Sequence, residues 1–254
     1  MTNYLKLKPL VVGLVFLGVL ELFAFFPDLM LWGSFIVLML VVGGVLWMMN
    51  GNWEEGVIRR SMLPILLSIG VLSFSFFMPK LVFRQIVYVT GAICIYFLML
   101  YVSQFPFKSF LITRLNFSFV SLIAAYLLFY SIFHISVGFA LPLWLLMLLV
   151  VGFGFMIFYS ILWASGLDRS STILYTVLFS LIMSEIFLIV SFWPVDPSAK
   201  SIVLVVAMYI FWGLLSHWLE RVLTKRVVIE YILVGVFLMS IVLVTATWLP
   251  PFLI

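Results

Sequence analysis

Three ionisable side chains, Glu21, Arg84 and Glu185, lie inside apolar runs that are long enough to cross a membrane. They are the residues of this sequence best suited to do chemistry. A charge within a bilayer costs roughly 2.5–3.5 kcal/mol on insertion scales, so such residues mark binding sites, proton paths or buried ion pairs. The three residues therefore form the candidate intramembrane polar site of this chain.

The positions of these residues in their runs predict similar depths. At about 1.5 Å per helical residue from the inner face, Glu21 lies about 17 Å and Glu185 about 21 Å into the bilayer. Arg84 enters from the outer face, lies about 6 Å below it, and reaches toward both acids. One interpretation is a pocket open to the outside that binds an ion, a proton or a charged headgroup. The other is a buried ion pair, or a protonated acid, that only holds helices together.

In both interpretations we expect Glu185 to face the interior of the helix bundle. Its predicted partner is either Arg84 or Glu21. With Arg84 as partner, Glu185 would be ionised and paired. With Glu21 as partner, two acids at similar depth would have to share a proton.

The composition indicates that lipid is the solvent of this chain. Of its 254 residues, 67% are hydrophobic and 9% are charged, too few to cover a water-exposed surface. The single cysteine, Cys94, excludes an intrachain disulfide or a thiolate metal site, and the two histidines are too few for a histidine-based metal centre. We predict no cofactor, no metal and no nucleic-acid partner. The expected partners are the lipid bilayer and, within it, a membrane protein or a lipid ligand.

Nine apolar runs predict an all-α polytopic transmembrane helix bundle. Unsatisfied backbone is not tolerated in lipid, and a closed barrel would show alternating segments of about ten residues instead. The short loops predict a single transmembrane helical domain over residues 1–254. The predicted spans are 10–26, 30–49, 62–78, 81–103, 115–133, 142–164, 171–193, 201–219 and 227–248.

The basic residues predict the orientation of the bundle. With the N-terminus in the cytoplasm, ten of the 13 Lys and Arg residues fall on the cytoplasmic side. Only Lys80, Arg84 and Lys200 fall outside. This split follows the positive-inside rule and places the C-terminus outside.

Residues 54–59 read E-E-x-x-x-R, from Glu54 and Glu55 to Arg59. They resemble the first motif of the prenyl-protease and bacteriocin-processing membrane proteases, in which paired carboxylates activate water for peptide hydrolysis. The later motifs of that family have only incomplete counterparts here, at His134 and His217. The predicted topology separates these two histidines by about a bilayer thickness of 30 Å, too far for one site. We therefore predict that Glu54-Glu55 and Arg59-Arg60 form a solvated cytoplasmic face without a catalytic role.

A second, broader resemblance rests mainly on the C-terminal third of the chain. The residues that carry it are Trp193-Pro194, Glu220-Arg221, Thr224-Lys225-Arg226, Glu230-Tyr231 with Gly235, Thr247-Trp248 and, in the third span, Arg59-Arg60 with Pro64. This pattern resembles an uncharacterised family of multi-pass membrane proteins of candidate-phylum bacteria. The resemblance implies the cytoplasmic (inner) membrane of a bacterium, and it implies no particular activity.

Three classes of function stay open at this point. The first is a non-enzymatic membrane component, either a structural or accessory subunit or a lipid binder. The second is a small transporter with an outer-leaflet polar site at Glu21, Arg84 and Glu185, which requires broken helices or a water-filled cavity. The third is an intramembrane hydrolase, which requires an acid and a nucleophile or base within hydrogen-bond reach. The sequence favours the first class and no enzyme.

The topology is tested by a reporter enzyme that is active only outside the cytoplasm. Fused after Ile254, the reporter should be active, because nine spans place the two ends of the chain on opposite sides. The same reporter inserted in the loop 220–226 is the control and should be inactive. Activity of a cytoplasmic reporter after Ile254 would show that a span has been miscounted.

Overall fold

The computed structural model describes residues 2–26, 30–49, 56–78, 80–103, 110–139, 141–165 and 167–248. Within these residues the chain folds into nine α-helices and no strand beyond an isolated bridge. The helices are α1 (Thr2–Phe25), α2 (Met30–Met48), α3 (Gly56–Phe77), α4 (Leu81–Ser103), α5 (Phe110–Phe139), α6 (Leu143–Ala164), α7 (Arg169–Ser191), α8 (Pro197–Leu219) and α9 (Lys225–Thr245).

The structure confirms the predicted all-α class. Eight of the described helices are long and apolar enough to cross a membrane, and the ninth, α2, contains a shorter apolar stretch, Trp32–Met48. Each predicted span coincides with one helix. The largest difference at one end is at α1, which was predicted to begin at residue 10 and begins at Thr2. Helix α5, predicted as 115–133, is longer at both ends and spans Phe110–Phe139. Hydropathy marks only the part of a helix that prefers lipid, whereas backbone hydrogen bonding continues until a cap or a proline ends it.

The chain divides into two compact units. The first unit comprises Met1–Leu128 and Met156–Thr172, and the second comprises Phe129–Phe155 and Ile173–Ile254. The division falls within α5, α6 and α7, so these three helices contribute residues to both units. The single domain over residues 1–254 stays a prediction.

In the first unit, α1 packs against α2 and α4, and α3 packs against the same two helices. Large side chains fill the space between them, and Phe16 of α1, Leu66 of α3 and Ile95 of α4 are completely buried. The outward sides of the same helices remain apolar and exposed, for example at Phe35 of α2 and Val82 of α4. Exposed apolar surface of this kind is expected where lipid replaces water as solvent.

In the second unit, α8 and α9 pack through glycines. Tyr231 of α9 lies across Gly213 of α8, where an added Cβ atom would overlap the tyrosine ring. The Tyr231 ring also contacts the rings of Tyr209 and His217, at centroid distances of 5.4 and 5.6 Å. A second close approach brings Ile210 against Gly235. The absence of a side chain at Gly213 therefore allows α9 to approach α8.

Within the second unit, α7 uses a narrow face of small polar residues for packing. Thr176, Ser180 and Ser184 are buried. A Cβ atom at Gly154 of α6 would lie 3.5 Å from the Cβ of Ser180, so the two helices approach closely there. The Ser180 and Ser184 hydroxyls donate to carbonyls of their own helix, at 2.9 and 2.8 Å. These serines act as small packing residues without an unsatisfied hydroxyl.

The Gly213 contact predicts a position-specific effect on stability. Gly213→Leu should lower the free energy of unfolding by about 1–3 kcal/mol, because the new side chain overlaps the Tyr231 ring. Gly152→Leu is the matched control, since nothing lies within 4 Å of a Cβ atom at that helical position. The measurement is thermal unfolding in detergent. Equal melting temperatures for the two variants would contradict the assigned contact, and Tyr231→Ala should partly rescue Gly213→Leu.

Candidate functional site

The first unit brings Glu21 together with an amide that the sequence analysis did not identify. Gln85 Nε2 donates a hydrogen bond of 2.8 Å to Glu21 Oε2. Glu21 lies in the last turns of α1 and Gln85 in the second turn of α4, so the two helices run in opposite directions past each other. One feature of the sequence could have identified Gln85: it is a glutamine next to Arg84 in an apolar run, at the depth predicted for Glu21.

Arg84 lies beside this pair but turns away from it. Its Nη2 donates to the carbonyl of Met78 at 2.9 Å, across the connection between α3 and α4. In the described part of the chain, Arg84 and Glu21 form no ion pair. The buried Tyr88 lies within electrostatic reach of both charges, and its hydroxyl is hydrogen-bonded to Ser75. Glu21, Arg84, Gln85, Ser75 and Tyr88 thus form a polar cluster at one end of the α1–α4 contact.

An apolar groove of about 200 Å³ runs along the same contact between α1 and α4. Its lining residues are Leu10, Gly13, Leu14, Leu17, Val89, Ala92, Ile93 and Tyr96. The helices touch at Gly13, where a Cβ atom would lie 3.2 Å from the carbonyl oxygen of Ala92. Residues at the rims of the groove are exposed: the exposed fraction is 59% for Leu14 and 50% for Ile93. The groove is therefore open to the surrounding solvent, which for this surface is lipid.

The groove and the polar pair occupy the same helix faces. On α1, Leu14, Leu17 and Glu21 follow at spacings of three and four residues. On α4, Gln85 lies four residues before Val89. Residues at these spacings lie on one side of a helix, so the Glu21–Gln85 pair lies about one turn, 5.4 Å, beyond the apolar lining. An apolar groove with a polar end is suited to an amphiphilic ligand.

Glu185 is exposed on α7, which contradicts the expectation that it faces the bundle interior. The reason is the packing of α7 through its small polar face, since Glu185 lies about 140° around the helix from Ser180. Within the described residues, Glu185 makes no hydrogen bond and no ion pair. It belongs to the second unit, while Glu21 and Arg84 belong to the first. The grouping of all three residues in one site stays a prediction.

A second polar cluster, also absent from the sequence analysis, centres on Asp196 in the second unit. Its Oδ2 accepts a bond of 3.2 Å from the Ala199 amide and so caps the N-terminus of α8. Its Oδ1 accepts from the amide and the hydroxyl of Thr247, at 3.3 and 3.1 Å. A backbone bridge between Val195 and Trp248 runs alongside. Asp196 therefore ties the end of α9 to the beginning of α8.

Neighbouring polar groups of the second unit are also satisfied internally. Lys200 Nζ donates to the carbonyl of Ser191 at 3.0 Å and lies over the Phe133 ring. His134 Nδ1 lies 3.1 Å from the carbonyl of Tyr130, four residues earlier. These contacts lie within the second unit and connect Lys200 to α5 and α7.

Two further observations concern charged residues outside these clusters. Arg226 pairs with Glu230, with Nε and Oε1 3.0 Å apart in an exposed position. In the predicted solvated face, Arg59 and Arg60 are half-buried, and Glu54 and Glu55 lie outside the described residues, so their lack of a catalytic role stays a prediction. Among the described residues, no cluster of three or more His, Cys, Asp or Glu side chains is arranged to hold a metal.

The fold and the site define a class: a helical bundle whose helices are apolar enough to cross a membrane. The chain belongs to the family of proteins of unknown function DUF5656, whose model matches residues 52–245. The match includes α3 to α9, while α1 and α2 precede it. No curated protein and no solved structure is significantly similar to this chain. The expected membership of an uncharacterised family is confirmed.

The Asp196 cluster predicts a pH dependence of stability. Burial raises the pKa of Asp196, but hydrogen bonds from Ala199, Thr247 and Ser198 outweigh it and hold the pKa below its usual value. The stabilisation is complete above the unfolded-state pKa of about 3.9 and is lost as the pH falls through the lower folded-state pKa. Asp196→Asn cannot ionise, so the melting-temperature difference between wild type and variant should shrink from pH 7 to pH 3. A constant difference would contradict the assignment.

Proposed function

We propose that this protein is a non-enzymatic component of the bacterial cytoplasmic membrane that binds a lipid in the α1–α4 groove. The observation that supports the proposal is the apolar groove of about 200 Å³, which has the Glu21–Gln85 hydrogen bond about one helical turn beyond its lining. Two parts of the proposal rest on the sequence: the bacterial membrane rests on the resemblance given above, and the cytoplasmic N-terminus rests on the distribution of Lys and Arg.

The size and exposure of the groove favour a lipid chain over a compact ligand. Pockets for drug-sized ligands usually have volumes of about 300–1,000 Å³ and bury most of the ligand. This groove is smaller, and its rims at Leu10, Leu14 and Val89 are about half exposed. It extends over the eight residues from Leu10 to Leu17, about 10 Å along the helix axis. A segment of an acyl or prenyl chain lying between the helices fits these dimensions.

The polar end favours a headgroup that carries hydrogen-bond donors. Glu21 uses one carboxylate oxygen for Gln85, and its remaining lone pairs and the Gln85 carbonyl can accept hydrogen bonds. Hydroxyl or amine groups of a lipid headgroup supply such donors. Lys80 is exposed four residues before the half-buried Arg84 and provides positive charge suited to a phosphate.

The rival functions receive less support. A transporter that uses Glu21, Arg84 and Glu185 together needs a polar pathway to Glu185, and that side chain is exposed on α7. A hydrolase of the kind that the E-E-x-x-x-R segment resembles would need Glu54 and Glu55, which lie outside the described residues. Lipid binding requires only groups that the first unit brings together.

Photolabelling tests this function. The protein is reconstituted in vesicles of phosphatidylethanolamine and phosphatidylglycerol with a trace of phospholipid that carries a diazirine on its acyl chain. Illumination should label peptides of α1 and α4 preferentially. Leu14→Trp should fill the groove and reduce this labelling at least threefold. Leu22→Trp is the matched control, because Leu22 is similarly exposed, 55% against 59%, and lies outside the groove lining.

Labelling spread evenly over all exposed helices would contradict a specific lipid site. So would equal labelling of the Leu14→Trp and Leu22→Trp proteins. Melting temperatures of both variants are measured in parallel, because a folded Leu14→Trp protein is required for the comparison.

A further inference from the structure

The polar cluster beside the groove contains charges of both signs at the same end of the α1–α4 pair. Glu21 lies four residues before the end of α1 at Phe25, about 6 Å along the helix axis. Arg84 lies three residues after the start of α4 at Leu81, about 4.5 Å along the axis. The headgroup layer of one leaflet is about 5–7 Å thick. Both charges therefore lie within the distance from the helix ends that a headgroup layer covers.

The acid and the base of this cluster do not pair with each other. Glu21 Oε2 accepts a hydrogen bond from Gln85 at 2.8 Å, and its Oε1 has no partner among the described residues. Arg84 Nη2 donates to the carbonyl of Met78, while its buried Nε has no acceptor in the same part of the chain. Both charged groups act electrostatically on Tyr88. The cluster therefore holds a negative and a positive group close together, and each retains unused hydrogen-bonding capacity.

A second positive group lies beside Arg84. Lys80 immediately precedes α4, is exposed, and has its Nζ 5.9 Å from the centre of the Phe83 ring. The phosphate of a phospholipid is negative and offers acceptor oxygens, so it matches a guanidinium and an ammonium group. The carboxylate of Glu21 requires the opposite, a cation that donates hydrogen bonds. A ligand that matches all three side chains therefore carries both a phosphate and an amine.

We propose that the lipid of the α1–α4 groove has a zwitterionic headgroup with a primary amine, such as phosphatidylethanolamine. Its ammonium group binds Glu21, and its phosphate binds Arg84 and Lys80. One acyl chain lies along the apolar lining, which on α1 runs from Leu17 to Leu10. The inference rests on the lipid binding proposed above and adds the class of headgroup.

Other common headgroups match the cluster less completely. A choline headgroup has the same charges, but its quaternary ammonium has no N–H donor for the carboxylate of Glu21. A glycerol headgroup has hydroxyl donors but no positive charge beside that carboxylate. Hydrogen bonds in which donor and acceptor are both charged are the stronger ones. The cluster therefore favours ethanolamine over both.

Photolabelling with three headgroups tests this inference. The protein is reconstituted in vesicles of phosphatidylcholine and phosphatidylglycerol. Each sample contains a trace of phospholipid with the same diazirine-bearing acyl chain and an ethanolamine, choline or glycerol headgroup. The ethanolamine probe should label peptides of α1 and α4 at least threefold more than either other probe. Labelling of the exposed side chains of α9, which lie outside the groove, should not depend on the headgroup and is the internal control.

Two variants assign the charges of the cluster. Glu21→Gln keeps an oxygen that accepts from Gln85 but loses the negative charge, so the three probes should label α1 and α4 about equally. The double variant Lys80→Gln and Arg84→Gln should lower labelling by all three probes at least threefold, because every probe carries a phosphate. Glu230→Gln is the matched control, since it removes an exposed carboxylate on α9 and should leave the ethanolamine preference unchanged.

Three outcomes would overturn the headgroup assignment while lipid binding in the groove stands. The first is equal labelling of α1 and α4 by the three probes, or a preference for choline or glycerol. The second is an unchanged ethanolamine preference in a folded Glu21→Gln protein. The third is unchanged labelling of a folded Lys80→Gln and Arg84→Gln protein.

Two further results are also decisive. Equal labelling of every exposed helix by every probe would contradict the groove itself, and the headgroup assignment with it. If a variant does not fold, the comparison of the three probes on the wild-type protein decides.

Discussion

The structure depends on the requirement that polar groups in apolar surroundings find partners within the protein. The backbone meets this requirement by forming helices. Many serines meet it locally, because their hydroxyls donate to carbonyls of the preceding turn, as at Ser68, Ser75, Ser121, Ser160 and Ser201. Such serines behave as small apolar residues. Longer polar side chains do not bond to their own helix in this way and need a partner on another helix. They are therefore the residues that carry information about how the helices are arranged.

The two intramembrane acids differ in how far they meet this requirement. Glu21 has a partner in Gln85, about one helical turn from the apolar groove between α1 and α4. Glu185 is exposed on α7 and has no partner in the part of the chain that the structure describes. The packing of the neighbouring helices therefore decides which of the two acids is satisfied within the chain.

Helix positions were predictable to within a few residues for most spans, whereas helix ends and side-chain directions were not. Hydropathy reports whether a segment prefers lipid, and it does not report where backbone hydrogen bonding stops. This is why α5 continues past Phe133 to Phe139 and why α8 begins at Pro197, immediately after the Asp196 cap. The cap itself has a sequence signal, an aspartate followed by proline at the first helical position.

The sequence by itself determined the all-α class and the number of apolar helices, because length and apolarity are properties of each segment alone. It also identified Glu21, Arg84 and Glu185 as unusual. Only the tertiary structure decided that Gln85 binds Glu21, that Glu185 points outward, and that Asp196 holds Thr247, 51 residues away. The physical reason is that the rotation of a helix about its axis is set by packing against its neighbours. An apolar helix has similar hydropathy on every side, so its sequence carries little information about that rotation.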